Sequence, residues 1–348
     1  KMMEKNKLGH TDMEVSEICL GTMTWGRQNT QEEAFEQMDY AVAQDINFFD
    51  TAELYPIPPE AETQGRTETI IGNWFTERGG RDKIILASKV TGRSGLTWFR
   101  DNGDPTELSP SQIDEALHNS LRRLQTDYID LYQLHWPDRP INLFGGLDYT
   151  HMSDEINRIE DILGVLDGYV KQGKIRSIGL SNETPWGTMK FLQYAALNNQ
   201  EKVVSVQNAY NLLSRVYETG GSEIYHREGV GLLAYSPLAQ GFLSGKYLDG
   251  NIPAGSRKSI ADRLQRYETP GAEEAIRSYL AIAKKYDVEP TQMANKFVTS
   301  RPFVTSNIIG ATTMEQLRLA VTSNEVDLSE EMLAEIQAVH LRAPNLCP

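Results

Sequence analysis

Short runs of β-branched and apolar residues recur along the chain. Each is closed by turn residues and followed by a stretch whose apolar positions repeat at helical spacing. Eight such runs stand at 16–21, 46–50, 83–89, 128–135, 175–181, 203–208, 231–236 and 306–311. Helices are predicted between them, among them 30–45, 109–125 and 312–323, the second with Ser109 as its cap and Pro110 at its first position. The runs are apolar enough to be buried on both faces, the mark of a parallel sheet covered by helices. Eight alternating units of this kind predict an α/β fold, a closed (β/α)8 TIM barrel with its helices outside; an open doubly wound sheet is the alternative. Ahead of the first run, 7–18 carries two short runs about a polar turn and reads as an N-terminal β-hairpin at the barrel floor. After the last, 328–341 adds a C-terminal helix capped by Ser329. No linker or low-complexity stretch divides the chain, so 1–348 reads as a single domain. Two connections are long, 56–66 and 137–153, and long loops in compact domains tend to carry function.

A parallel barrel builds its site at the carboxyl ends of its strands. The second predicted strand ends in Asp50, the third in Lys89, the fourth in His135, the fifth in Ser181 and Asn182, the sixth in Gln207 and Asn208, the seventh in Tyr235 and Ser236, and the eighth runs into Gly310. Singly these have ordinary uses: Asp50 as a helix cap, Lys89 as a solvated rim charge, His135 as a satisfied buried imidazole. Gathered at one mouth with the hydroxyl of Tyr55, five residues beyond Asp50, they favour proton-transfer chemistry.

Composition narrows the classes. The net charge of −14 argues against a nucleic-acid surface, which needs a clustered basic stripe. The two cysteines, Cys19 and Cys347, make neither a disulfide framework nor a zinc cluster, and no pair of histidines has ligand spacing, so no metal is expected. His118 and His226 fall within helical patterns and read as surface residues. The first residues lack the apolar core of a signal peptide and no run is long enough to span a bilayer, so the chain reads as cytoplasmic, with no membrane partner. Asn182, Glu183 and Thr184 form a glycosylation acceptor that carries no meaning without secretion. The stretch 229–234 fits G-x-G-x-x-A, but its glycines precede a strand instead of opening a helix, which defeats a Rossmann reading. A better phosphate site is the predicted helix start near Thr313, just past Gly310.

The segments GTMTWG, FFDTAELY, LASK, LYQLHWP, GKIRSIGLSN, SVQNAYNLL, AYSPLAQGFLSGKY and IIGATT, in this order and spacing, resemble the aldo-keto reductase superfamily over residues 8–321. Within it, AELYPIPPEAETQGRTETIIGNW and HWPDRP look most like the bacterial Tas-like reductases, with the potassium-channel β-subunits more distant. The resemblance implies a catalytic set of Asp50, Tyr55, Lys89 and His135 that reduces a small-molecule carbonyl with NADPH. It places Ser181, Asn182 and Gln207 at the nicotinamide carboxamide and Tyr235 on its ring, with Asp50, Thr22, Met23 and Gln28 nearby. Ser236, Pro237, Leu238 and Ala239 would line the pyrophosphate, Lys246 and Arg257 pair with phosphates, and Gly310, Thr312 and Gln316 hold the adenosine part. Relatives often have a glutamate and an asparagine where this chain has Leu319 and Ala320, which leaves the adenine grip open. Trp25, Trp98 and Trp136, with Tyr55 and the two long loops, are candidates to surround the substrate; its identity and the oligomeric state are not readable.

The chemistry agrees independently. A carbonyl that receives hydride needs a proton on oxygen, and a free phenol near pKa ~10 gives one up reluctantly. A lysine about 4 Å away, at an effective dielectric of about 20, would favour phenolate by on the order of 4 kcal/mol, roughly three pKa units. Asp50 would keep Lys89 charged and His135 would hold the carbonyl oxygen. Two other readings stand: a Schiff-base aldolase or isomerase in which Lys89 attacks a carbonyl, and a cofactor-bound regulatory subunit with vestigial catalysis.

Overall fold

The computed structural model describes residues 1–153, 156–261 and 265–348. In chain order the strands are β1 (Lys5–Lys7), β2 (Glu14–Ser16), β3 (Ile18–Gly21), β4 (Phe48–Asp50), β5 (Ile85–Val90), β6 (Ile129–Leu134), β7 (Ile175–Ser181), β8 (Ser205–Ala209), β9 (Gly231–Tyr235) and β10 (Val304–Ile309). β3 to β10 close into an eight-stranded barrel, parallel throughout, with β10 pairing β3. The helices are α1 (Gln31–Ala43), α2 (Arg66–Arg78), α3 (Pro110–Leu124), α4 (Ile159–Lys171), α5 (Pro185–Asn198), α6 (Val216–Glu228), the single turn α7 (Arg257–Ile260), α8 (Ala272–Lys285), α9 (Pro290–Thr299), α10 (Met314–Thr322) and α11 (Glu330–Arg342). This is the (β/α)8 TIM barrel that the alternation predicts.

The caps explain where helices start. Thr30 and Glu33 form a capping box on α1, Ser109 accepts from Gln112 N ahead of Pro110 on α3, Thr313 accepts from Gln316 N on α10, and Ser329 accepts from Met332 N on α11. The first predicted strand is corrected. The run 16–21 breaks at Glu17: Ser16 belongs to the β1–β2 hairpin, and Glu17 N turns aside to Glu4 O at 2.9 Å. Other strand ends shift by one or two residues. His118 lies at the surface of α3 as expected, its side chain 41% exposed, with Nε2 2.8 Å from Lys174 Nζ.

Two apolar shells and a floor make the core. Outward-facing side chains of β3 to β8, such as Phe49, Leu86 and Tyr132, pack on α1 to α5, while β9 and β10 pack on α8, α9 and α11. Inside the barrel, Cys19, Phe48, Ala87, Leu131, Val204, Leu233 and Ile308 meet Leu8, Met13 and Val15 of the hairpin, which closes the floor. Gly9, at φ +57°, sits so close to β8 that a Cβ would lie 2.7 Å from Val204 Cβ. No helix among the described residues is long and apolar enough to cross a membrane.

Candidate active site

Strand alternation turns the apolar floor into a polar mouth. Residues two apart on one strand share a face, so the interior row rises from Phe48 to Asp50, from Ala87 to Lys89, from Leu131 through Gln133 to His135, from Ser205 to Gln207, and from Leu233 to Tyr235. The outward neighbour of Lys89, Ser88, instead donates to Glu68 of α2 at 2.8 Å. The sheet itself thus delivers the polar set to one place.

Lys89 is the hub. Its Nζ, fully buried, donates to Asp50 Oδ2 at 2.7 Å, to Thr51 O at 2.9 Å and to Tyr55 Oη at 3.1 Å. Asp50 Oδ1 accepts from Gln133 Nε2 and Gln207 Nε2, each at 3.0 Å. The Tyr55 and His135 rings meet edge to face with centroids 5.9 Å apart. Burial opposes the charge on Lys89, but Asp50 and Tyr55 more than compensate and its pKa stays raised. A buried ammonium with all three protons donated is no nucleophile, which argues against the Schiff-base reading.

Burial, followed by the Lys89 charge, pushes His135 well below its ordinary value, so the imidazole is neutral and can donate from only one nitrogen; its Nδ1 is enclosed without a partner. Tyr55 corrects the sequence argument. Lys89 does pull the phenol down, but burial pushes it up more strongly and Asp50 adds to that, so the net shift is upward from 10.0. The site holds Tyr55 as a protonated acid.

The segment that carries Tyr55 is clamped by a pair that sequence reading missed. Glu53, between Asp50 and Tyr55, takes Arg100 in a bidentate pair at 2.8 and 2.9 Å and accepts Thr91 N at 2.8 Å; both side chains are buried. Burial raises the carboxyl's pKa and Arg100 more than reverses it, leaving Glu53 depressed. The Tyr55–Pro56 peptide is cis. Ala52, Leu54, Phe99 and Trp136, joined by Tyr55, Ile57, Leu96 and Leu143, form an apolar wall at the mouth. Trp98 is partly exposed and stacks on Phe99, and Trp136 meets Phe144 of the second long loop edge to face. Trp25 is not brought there: it is wholly buried in the shell between barrel and helices, so its candidacy as a substrate contact is withdrawn.

The other residues proposed for the cofactor lie at the ends of, or in the connections after, β3, β7, β8, β9 and β10. Thr22 Oγ1 donates to Asp50 O at 2.8 Å. Met23 and Gln28 are half-buried in the loop after β3. Asn182 donates to His135 O at 2.9 Å and accepts from Tyr235 Oη at 2.5 Å, while Ser181 Oγ donates to Gln207 O at 2.9 Å. After β9 the backbone of Ser236, Ala239 and Gln240 is left-handed, bending Ser236, Pro237, Leu238 and Ala239 across the barrel top. Lys246 lies over Gly241, where a Cβ would come 3.0 Å from its Nζ, and no carboxylate pairs with it among the described residues. Arg257 opens α7. Gly310 is exposed, and Gln316 Oε1 folds back onto Thr312 N at 2.9 Å and Thr312 Oγ1 at 3.0 Å. Ala320 is buried in the core and Leu319 half-buried, so neither offers a polar contact to an adenine. The loops after β9 and β10 follow neighbouring strands and lie side by side. The ammonium without a carboxylate partner, the open glycine and the start of α10 suit an anionic dinucleotide. Among the described residues no three His, Cys, Asp or Glu side chains group to hold a metal ion.

The sequence matches the Aldo/keto reductase family over residues 17–340. It is 48% identical to "Protein tas" of Escherichia coli (strain K12) over 342 residues, 97% of this chain and 98% of the relative. It is 34% identical to "Uncharacterized oxidoreductase YrpG" of Bacillus subtilis (strain 168), covering 95% of this chain and 94% of that one. A more distant relative is the "Probable voltage-gated potassium channel subunit beta" of Oryza sativa subsp. japonica, 29% identical over 99% of this chain and 98% of the relative.

Proposed function

The chain belongs to the aldo/keto reductase family, and from that membership we propose that it reduces an aldehyde or ketone to an alcohol with NADPH, Tyr55 acting as the acid. The observation that carries the proposal is the Asp50–Lys89–Tyr55 chain, with contacts of 2.7 and 3.1 Å, ending on a phenol held protonated beneath an apolar mouth. NADPH supplies the hydride when bound. As the carbonyl oxygen gains negative charge, neutral His135 donates a hydrogen bond to it and Tyr55 Oη gives up its proton there. Lys89, itself fixed by Asp50 and Thr51, steadies the phenolate left behind. The pull of Lys89 that does not win against burial in the resting site thus acts when the phenol ionises. Gln207, Asn182 and Ser181 would hold the nicotinamide; Lys246, Arg257 and the start of α10 would take the phosphates. The wall of Leu54, Phe99 and Trp136 suits an apolar or aromatic carbonyl compound.

The test is NADPH oxidation by the purified protein against a panel of aldehydes, ketones and quinones. Turnover of at least one of them, lost in Tyr55→Phe, is the expected result. Tight NADPH binding with no turnover across the panel would favour the regulatory reading that the rice relative's name brings to mind.

A further inference from the structure

Gln133 has no part in the proton transfer, yet it is fully buried in the interior row of β6, two residues before His135 and paired in register with Lys89. Its Nε2 donates to Asp50 Oδ1 at 3.0 Å and its Oε1 accepts from Gln207 Nε2 at 2.9 Å. The same nitrogen of Gln207 also donates to Asp50 Oδ1, at 3.0 Å, so both of its N–H groups are spent inward. A carboxylate only accepts, so both amides must turn their nitrogens toward Asp50, and this chemistry fixes which way each one faces. The atom left over is Gln207 Oε1. No described residue donates to it, and it is not among the enclosed atoms.

The contact reaches across a strand. β6 and β8 are separated by β7, and the residue between them is Gly179. A Cβ there would lie 3.0 Å from Gln133 Cγ, 3.0 Å from Leu131 Cδ1 and 3.0 Å from Ser205 Oγ, tighter than side chains tolerate without yielding. The bare backbone at 179 leaves the room in which the two amides meet.

We propose that Gln133 is a positioning residue for the cofactor site: by accepting the second N–H of Gln207 it holds that amide with its oxygen toward the mouth, so the site selects a pyridine substituent that carries N–H. The inference rests on the reading that a nicotinamide cofactor binds here. It follows that a carboxamide binds well, an acetyl group, which has no N–H, less well, and a carboxylate, which meets Gln207 Oε1 as acceptor against acceptor, least. Without Gln133, Gln207 keeps one bond to Asp50 and can turn its second N–H outward, where it can serve the acetyl oxygen.

The test measures binding by intrinsic fluorescence, without turnover, for oxidised NADP, its 3-acetylpyridine analogue and its nicotinic-acid analogue. Wild-type protein should prefer the carboxamide over the acetyl analogue on the order of fivefold, the worth of one neutral hydrogen bond. Gln133→Leu should bring that ratio close to one, and Gly179→Ala, which displaces Gln133 without touching either amide, should move it the same way. General loosening of the barrel would weaken all three ligands alike and leave the ratio where it was. An unchanged ratio in either variant that still melts cooperatively overturns the proposal, and each variant decides the matter if the other fails to fold. If the wild-type protein binds none of the three ligands, the cofactor reading itself falls and takes this inference with it; binding with no preference between carboxamide and acetyl overturns this inference alone.

Discussion

The rim of the barrel has two halves built on different principles. Beyond β4, β5 and β6 the charged groups are already engaged, while the neutral His135 keeps an unpartnered ring nitrogen: Lys89 makes three bonds, Asp50 receives three donors, and Glu53 is locked to Arg100. Beyond β9 and β10 the chain runs through short single-turn pieces, left-handed residues and an exposed Gly310, and Lys246 has no carboxylate partner among the described residues. A group that moves a proton must be held before substrate arrives, because misplacement by an ångström is costly. A surface that grips phosphates needs unsatisfied donors, and pairing them internally would remove the reason for them. Damage on the first half should therefore appear in chemistry and stability, and damage on the second in cofactor affinity more than in chemistry.

The sharpest break is Tyr55→Phe. Removing the acid while leaving the ring should cost about 10²- to 10⁴-fold in turnover, the usual worth of a positioned proton donor, with NADPH affinity nearly unchanged. Near wild-type turnover with any accepted aldehyde would sink the assignment. Next is the clamp. Arg100→Met strands Glu53 as a buried carboxylate, and breaking such a pair typically costs about 3–5 kcal/mol. Denaturant unfolding should show that loss. Rates should fall as well, since Glu53 lies two residues from Tyr55. A melt like that of the wild type would mean that the pair holds nothing in place.

The pH dependence follows from the two shifts at the site. Tyr55 has its pKa raised by burial, so the acid is present at neutral pH; reduction should stay flat on the alkaline side and decline only above 10.0, while the reverse reaction, which needs phenolate, should rise with pH. His135 is depressed by burial and by Lys89, so no acidic limb should appear near its ordinary 6.5. The stability signs differ. The Tyr55 contribution is complete below the unfolded value of 10.0 and is lost as pH rises through the folded one; that of His135 is present above 6.5 and lost as pH falls. A reduction profile with an inflection near neutrality would break the account of both residues.

The two halves also differed in how far the sequence revealed them. The barrel was legible because eight apolar runs separated by helical periods have few other ways to close, and the strand-end polar residues followed from that geometry. Gln133 was not. A polar residue inside an apolar run looks like noise until the row of alternate residues is followed down from His135, when it falls in the layer of Lys89. Glu53 and Arg100 are 47 residues apart, and nothing local joins them. Trp25 misled because an aromatic next to a loop has the same hydropathy whether it lines a mouth or fills a shell. The net direction at Tyr55 depended on burial, which distance-based electrostatics between two residues leaves out. The first strand splits at Glu17 because its N–H bonds back to Glu4 of the hairpin while its carbonyl accepts Asn307 N of β10.

The mildest break tests the open half. NADPH differs from NADH by a phosphate that carries roughly −1.5 to −2 charge, taking other phosphate monoesters as the guide. In a chain of net charge −14, holding it needs local cations. Arg257, at the start of α7, has the planar fork for phosphate oxygens; Lys246 adds a point charge and Thr312 a hydroxyl. Arg257→Ala should therefore weaken NADPH by about 1.5–3 kcal/mol, the range for a hydrogen bond to a charged group, with little effect on NADH. Because these residues are only half-buried, NADPH affinity should also fall as salt is added. Fluorescence titration of both cofactors decides it. Equal losses for NADPH and NADH would show that Arg257 reads something common to both, such as the pyrophosphate. A loss of turnover at saturating NADPH would show that this half shares in the chemistry of the catalytic one, and the contrast between them would be gone.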